Sequence, residues 1–340
     1  MRKRLLSILK YIVFLGAGFF LVWWQLKGMT EEEKIEFYNA FSYANYWLII
    51  PIIFMSLLSH FLRAVRWKIL MEPLGYKPTL KNVFSVVMVG YLANSAIPRL
   101  GEILKCTFLA RYEKLKVEKL VGTMIVERTF DIFCYLIFIG LTILVQFDLI
   151  GGYVKDKFNK IGSSSVFPVW LKVLIVISIV VFIIFLVKYL FKKYPQNRIV
   201  ARLDILMKGF FEGFKTIRNL KQRKLFLMHT LLIWALYLVQ IYIGFKAMEG
   251  TSHLSITAAC SVLTLATLAM IATPGGIGSF PLFVMETLAI YGIATPLGEA
   301  FGWLIWGVST GIIIIAGLAC LLLLPYINRN KNEIDQQHTQ

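Results

Sequence analysis

The chain has 340 residues, of which 58% are hydrophobic and only 16% charged, against roughly 25% charged in soluble domains. That balance excludes an ordinary soluble enzyme and requires a helical membrane protein. The net charge of +17 does not point to nucleic acid, because the basic residues flank apolar segments instead of forming a separate module.

The N-terminus, Met1-Arg-Lys-Arg, precedes an apolar run over residues 10–26. No small-x-small cleavage site follows, so the run is expected to stay as a first helix. The tip after it carries Glu31, Glu32, Glu33 and Glu36, an acidic loop assigned to the outside. A second helix is predicted over 46–65. It ends in Arg63, Arg66 and Lys68, which places that end inside.

The next apolar piece, 83–97, stops at Asn94-Ser-Ala-Ile-Pro-Arg-Leu-Gly-Glu102. Pro98 removes a backbone donor and Gly101 tolerates conformations that end a helix. The following stretch to Lys119 carries nine charges, six of them basic. Each charge at the centre of a bilayer costs about 2.5–3.5 kcal/mol. The economical solution is a hairpin that enters from the cytoplasmic side, breaks near Pro98 and returns.

A helix over 120–147 is predicted to exit outside, followed by an external loop over 151–168 and a returning helix over 169–191. Residues 188–224 then hold eleven basic residues against Asp204 and Glu212. This is the main cytoplasmic loop. Ile199, Leu203, Leu206, Phe210, Phe214 and Ile217 recur in it at helical spacing, the mark of an amphipathic helix on the membrane surface. A helix over 225–245 precedes a second broken segment, Thr273-Pro-Gly-Gly-Ile-Gly-Ser-Phe-Pro281. It separates apolar pieces over 254–272 and 282–293. The last helix, 300–324, ends before Arg329 and Lys331.

The fold expected is all-α and polytopic, with about eight membrane segments. Two of them are broken, re-entrant hairpins, one from each face, arranged as an inverted repeat with a central site. The charge pattern alone also fits a second hairpin that crosses fully twice. Residues 1–325 form one membrane domain and 326–340 a polar tail, with both termini cytoplasmic in the cell (inner) membrane.

Unwound backbone at membrane depth survives only where protein buries it or water reaches it. Pro98 and Gly101, and Pro274, Gly275, Gly276 and Gly278, are therefore candidate elements of a binding site. The glycine-rich break is not a dinucleotide fingerprint, since no strand precedes it, nor a P-loop, since it lacks Lys-Ser/Thr. Its structural alternative is close helix packing.

Charged residues near the breaks complete the candidate set. Arg99 suits bidentate recognition of phosphate, and the helix starting near Gly101 offers free N–H groups to an anion. The alternative is an Arg99–Glu102 salt bridge at a buried tip. Glu127, Arg128 and Asp131 share one helix face and precede sixteen residues without charge. They form either a self-satisfied group that locks packing or the polar wall of a headgroup cavity. Glu286 is a single acid in an apolar helix, assigned to the same cavity. Cys106, Cys134, Cys260 and Cys320 have no pairing or ligand spacing, and no metal or cofactor is expected.

The ordered set Pro98-Arg-Leu-Gly-Glu102, Val126-Glu-Arg-Thr-Phe-Asp131 and Thr273-Pro-Gly-Gly-Ile-Gly278 resembles the transmembrane domain family of lysylphosphatidylglycerol synthases, the flippase-like domain, over about residues 8–325. The resemblance implies a helical fold with broken re-entrant elements and movement of lipid, aminoacylated phosphatidylglycerol in the best-known members, between leaflets. Bifunctional members carry a soluble aminoacyl-transferase domain after the membrane part. Here sixteen residues follow Leu324, so lipid synthesis is not expected. Members often carry an acid soon after the glycine-rich break, where this chain has Pro281; Glu286 is the acid available instead.

The function expected is a lipid translocator without enzymatic activity. Its partners are membrane lipids, anionic or aminoacylated phospholipids in the first place, and no nucleic acid; a homo-oligomer stays open. Two alternatives belong to other classes. One is an intramembrane lipid-modifying enzyme with carboxylates as acid and base. The other is a scaffold working through the basic loop.

Overall fold

A computed structural model describes residues 20–25, 27–158 and 216–329, with single positions at 16, 18, 174, 178 and 193. The described residues are helical throughout, with short 3-10 turns and no strand. The first predicted helix is described at 20–25, all helical. Apart from Leu174 and Ser178, the predicted helix over 169–191 lies outside the described residues, as does most of the basic segment 188–224.

Among the described residues nine α-helices follow in chain order: α1 Glu31–Ser42, α2 Ile49–Met71, α3 Leu80–Ala96, α4 Leu100–Glu113, α5 Val117–Phe158, α6 Arg223–Ala247, α7 Ile256–Ala272, α8 Ser279–Ala289 and α9 Thr295–Ile327. Among the described residues four helical stretches are long and apolar enough to cross a membrane: Tyr46–Leu74, Val117–Gln146, Arg223–Ala247 and Thr295–Ile327. The chain divides into two compact units, Met1–Met124 with Leu220–Gln340, and Ile125–Asn219.

Several boundaries differ from the sequence expectation. The acidic tip is a helix, α1, because Thr30 and Glu33 cap it reciprocally: the Glu33 N–H donates to Thr30 Oγ1 at 3.2 Å and the Thr30 N–H to Glu33 Oε2 at 2.8 Å. That satisfies two of the donors a helix start leaves open. Helix α2 continues to Met71 because Arg66, Trp67, Ile69 and Leu70 are buried within the bundle. Helix α5 runs on to Phe158 across Gly151 and Gly152, predicted as loop. A glycine costs a helix interior only about 1 kcal/mol.

Helix α9 is the ruler of the first unit. In its early turns Gly298 packs on Met285 and Leu288, and Gly302 on Pro281, so α8 runs antiparallel along it. At Trp306 the indole N–H donates to Gly275 O at 2.8 Å. Further along, Gly317 packs on Met88 and Leu92 of α3, and Asn328 pairs with Asn82. Helix α3 therefore also runs antiparallel to α9, along its second half. The α3–α4 hairpin enters from the α9 C-terminal end, and the α7–α8 hairpin from its N-terminal end.

None of the four hairpin arms is long enough to cross. At 1.5 Å per residue the longest, α3 and α7 with 17 residues each, reach about 25 Å against a hydrocarbon core of about 30 Å. Both hairpins turn back midway along α9. Charge divides along the same axis. Lys114 and Lys116 follow α4 and Arg329 follows α9 at one end, while the acidic first turn of α1 lies in the segment that docks, through Asn45 N–H to Ala247 O at 2.7 Å, at the other.

Candidate functional site

The two breaks meet. A Cβ placed on Gly275 would come within 3.3 Å of Ser95 O and 3.4 Å of Ser95 Cα. Ser95 belongs to the last turn of α3 and Gly275 to the 3-10 turn Pro274–Gly276. Pro98, Gly101, Pro274, Gly275, Gly276 and Gly278 thus belong to one region of the first unit.

The first break is built by a glycine contact and an asparagine. Gly90 and Gly101 bring α3 and α4 together so closely that a Cβ on Gly101 would lie 1.9 Å from Gly90 O. Asn94 Oδ1 accepts the Gly101 N–H at 2.8 Å, satisfying one donor at the start of α4. Between them Ile97 is extended and Arg99 sits at φ 68°, a left-handed conformation that long side chains rarely adopt. At the mouth of the hairpin Glu113 Oε1 accepts from the Thr79 N–H (3.0 Å), Thr79 Oγ1 (2.6 Å) and Asn82 Nδ2 (2.6 Å).

The second break takes its shape from three left-handed glycines, Gly275, Gly276 and Gly278 at φ 61°, 73° and 71°. Hydroxyls bridge its two sides. Thr273 Oγ1 donates to Ile277 O at 2.9 Å, Ser279 Oγ to Ala269 O at 2.8 Å, and the two hydroxyl oxygens lie 2.7 Å apart. The N-terminal helical residues close over it: Gln25 Nε2 donates to Gly278 O at 3.0 Å, and a Cβ on Gly278 would meet Gly18 O at 2.7 Å.

The charged candidates are distributed unevenly. Arg99 is exposed at the tip of the first break. Glu102 is half-buried in the first turn of α4, where the helix dipole favours an acid. Glu286 is exposed on α8, while Pro281, Val284 and Leu288 form the buried face of that helix. Glu127, Arg128 and Asp131 lie in the second unit, on α5. Glu127 is buried with Phe130, and Arg128 and Asp131 are half-buried. The structure thus brings Arg99 and Glu102 to the breaks and holds the α5 trio in the other unit.

Two buried cations escaped the sequence reading. Arg66 is fully buried on α2; its Nη1 donates to Thr230 Oγ1 at 3.1 Å and its guanidinium lies 5.5 Å from the centre of the Phe226 ring. Lys105, one turn beyond Gly101, is 6% exposed and places Nζ 4.3 Å from the centre of the Trp67 ring. Trp67 Nε1 donates to Thr123 Oγ1 at 3.0 Å. Arg66 reads in sequence as one of a topogenic basic cluster. The available signal was its neighbour Trp67, a large aromatic next to a charge inside an apolar helix. Lys105 had a similar signal in Cys106 and Leu109.

A family model described as the lysylphosphatidylglycerol synthase TM region matches residues 7–317. The chain belongs to that family. It is also similar to a UPF0104 membrane protein of Methanocaldococcus jannaschii, with 22% identity over 303 residues covering 86% of this chain and 87% of the relative. No solved structure matches it. Membership makes this a membrane region of the lysylphosphatidylglycerol synthase type, tied to membrane lipid.

Proposed function

We propose that this protein moves a phospholipid between the leaflets of the cell membrane. The observation that carries the proposal is the contact of Gly275 with Ser95. Two hairpins too short to cross end against each other, and their unwound backbone is held at membrane depth, where it is tolerated only beside protein or water. Opposed broken helices of this kind place a central site between elements that alternate access.

In this reading the headgroup passes through a polar path while the tails stay in lipid. In the first unit Arg99 binds the phosphate, and Glu102 and Glu286 balance that charge or bind a cationic substituent; in the second unit Arg128 is a phosphate-binding residue in its own right, with Glu127 and Asp131 beside it on α5. Both sets suit an anionic or aminoacylated phospholipid. The basic end of α9 and the Lys114–Lys119 segment face the cytoplasm, following the positive-inside rule, and both termini lie there.

The test is reconstitution in liposomes with fluorescent-headgroup lipids and an external, impermeant quencher. The protein is expected to speed loss of the protected inner pool, and folded Arg99→Ala and Arg128→Ala variants to slow it. Equal rates with folded protein and with empty liposomes, across anionic, zwitterionic and aminoacylated lipids, overturn the proposal.

A further inference from the structure

The second break concentrates more oxygen than its protons can serve. Four oxygens meet there: Ala269 O, Thr273 Oγ1, Ile277 O and Ser279 Oγ. Three pairs among them lie at 2.7–2.9 Å, which is hydrogen-bond distance. Only the two hydroxyls carry protons, one each. If Thr273 donates to Ile277 O and Ser279 to Ala269 O, the 2.7 Å contact between the hydroxyl oxygens has no proton of its own. If either hydroxyl turns to the other, a carbonyl contact loses its donor. Thr273 and Ser279 are 7% and 2% exposed, so the mismatch is buried.

An independent observation lies beside it. Gln25 is 7% exposed, and its Oε1 is buried with no hydrogen-bond partner among the described residues. Its Nε2 bonds Gly278 O, and Gly278 lies between Ile277 and Ser279, so the amide that carries the unpartnered oxygen is anchored beside the cluster. A buried acceptor left without a donor destabilises the native state. One cation relieves both defects.

The kind of cation follows from the ligands. All are neutral oxygens, so a divalent ion, which draws on carboxylates, is poorly matched. The C-terminal end of α7 adds the partial negative charge of its last carbonyls, about half an elementary charge. Neutral hard oxygens at the C-terminal end of a broken helix are the setting in which transporters hold sodium.

We propose that Ala269 O, Thr273 Oγ1, Ile277 O and Ser279 Oγ, with the Gln25 amide anchored beside them, form a binding site for a small monovalent cation, sodium in the first instance. Cation binding pins α7 to α8 across the break that faces Ser95. Binding stands by itself; its use as a driving force for movement rests on the translocation proposed above.

The experiment measures binding without transport. Purified full-length protein in detergent is melted in sodium chloride, potassium chloride and N-methylglucamine chloride at constant ionic strength, with tryptophan fluorescence as a second readout, since Trp306 bonds Gly275 O. Sodium is expected to raise Tm saturably, as a ligand of the native state must, and potassium and N-methylglucamine to do so less. Thr273→Val and Ser279→Ala, which nearly keep side-chain volume, are expected to weaken the apparent affinity about tenfold or more, the equivalent of about 1.4 kcal/mol. Thr273→Ser keeps the oxygen and is expected to keep the response. Should Thr273→Val fail to fold, Ser279→Ala and Thr273→Ser carry the comparison. A wild-type protein without a saturable, sodium-selective shift overturns the site, as does a shift unchanged in folded Ser279→Ala. Sodium binding together with inactive liposomes would instead sink only the translocation proposal.

Discussion

Gly275 stands against the backbone of Ser95, 180 residues earlier in the chain, with no room between them for a freely placed methyl group. The same glycine holds φ 61°, and its carbonyl accepts the Trp306 indole N–H. Gly275→Ala therefore acts twice. It imposes a left-handed conformation that costs an L-residue about 1–2 kcal/mol, and it presses on the other hairpin. The expected result is a folded protein with Tm lowered by a few degrees and a translocation rate about tenfold lower, since about 1.4 kcal/mol placed on the moving state is a factor of ten. Melting and the quencher assay on the same preparation check it. An unchanged rate would mean that the hairpins need not meet during transport.

Gly101 marks a harder limit. A methyl group there would lie 1.9 Å from Gly90 O and 2.7 Å from Asn94 Cγ, and a backbone oxygen cannot rotate away as a side chain would. Gly101→Ala is expected to force α3 and α4 apart at a cost of about 3 kcal/mol, the upper part of the overpacking range. The observable is loss of monodisperse protein in size-exclusion chromatography. Gly122 on α5, exposed and with no neighbour within 4 Å of an added Cβ, is the control. Gly122→Ala is expected to raise stability by about 0.5–1 kcal/mol through helix propensity alone.

Much of this arrangement was legible in the sequence. Pro98, Gly101 and the Pro274–Gly278 run gave both breaks, because proline and glycine act locally and their effect on a helix does not depend on tertiary neighbours. The long apolar runs gave α2, α5, α6 and α9 for the same reason. What was not legible depends on partners distant in the chain. Apart from the adjacent Trp67, nothing local tells Arg66, buried against Thr230 and Phe226, from Arg63 or Lys68 in the same basic cluster. The exposure of Glu286 depends on which face of α8 docks on α9, and that is set by Gly298 and Gly302. Helix α1 is the exception: its Thr30–Glu33 capping box is a local signal, masked by the acidic composition that reads as a loop.

The mouth of the first hairpin is tied to the end of α9 by two amides. Asn82 Nδ2 donates to Asn328 Oδ1 and Asn328 Nδ2 to Asn82 Oδ1, both at 2.8 Å, and both residues are buried. Removing either side chain leaves the other with an unmet buried group, at about 1–3 kcal/mol. Asn82→Ala is expected to cost more than Asn328→Ala, because Asn82 also donates to Glu113 at 2.6 Å. The double variant is expected to lose less than the sum, with a coupling of about 0.5–2 kcal/mol. Denaturant melts of the four proteins close the cycle. Strict additivity would show that the pair does not hold the hairpin to α9.

Arg99 separates structure from function most cleanly. Its φ of 68° costs the native state about 1–2 kcal/mol, and it is exposed, so packing gives little in return. A residue of this type keeps such a conformation where the side chain has work to do. Arg99→Gly removes the strain and the charge together. It is expected to raise stability by about 1 kcal/mol and to slow translocation. Arg99→Ala keeps most of the strain and loses the charge, so it is expected to slow translocation without the gain in Tm. Arg99→Lys keeps a charge but loses the bidentate fork, and is expected to fall between Arg99→Ala and the wild type in rate. The measurements are Tm and quencher accessibility for the three variants. A glycine variant that is both more stable and fully active would reduce Arg99 to a residue at the tip of a turn and remove it from the phosphate path.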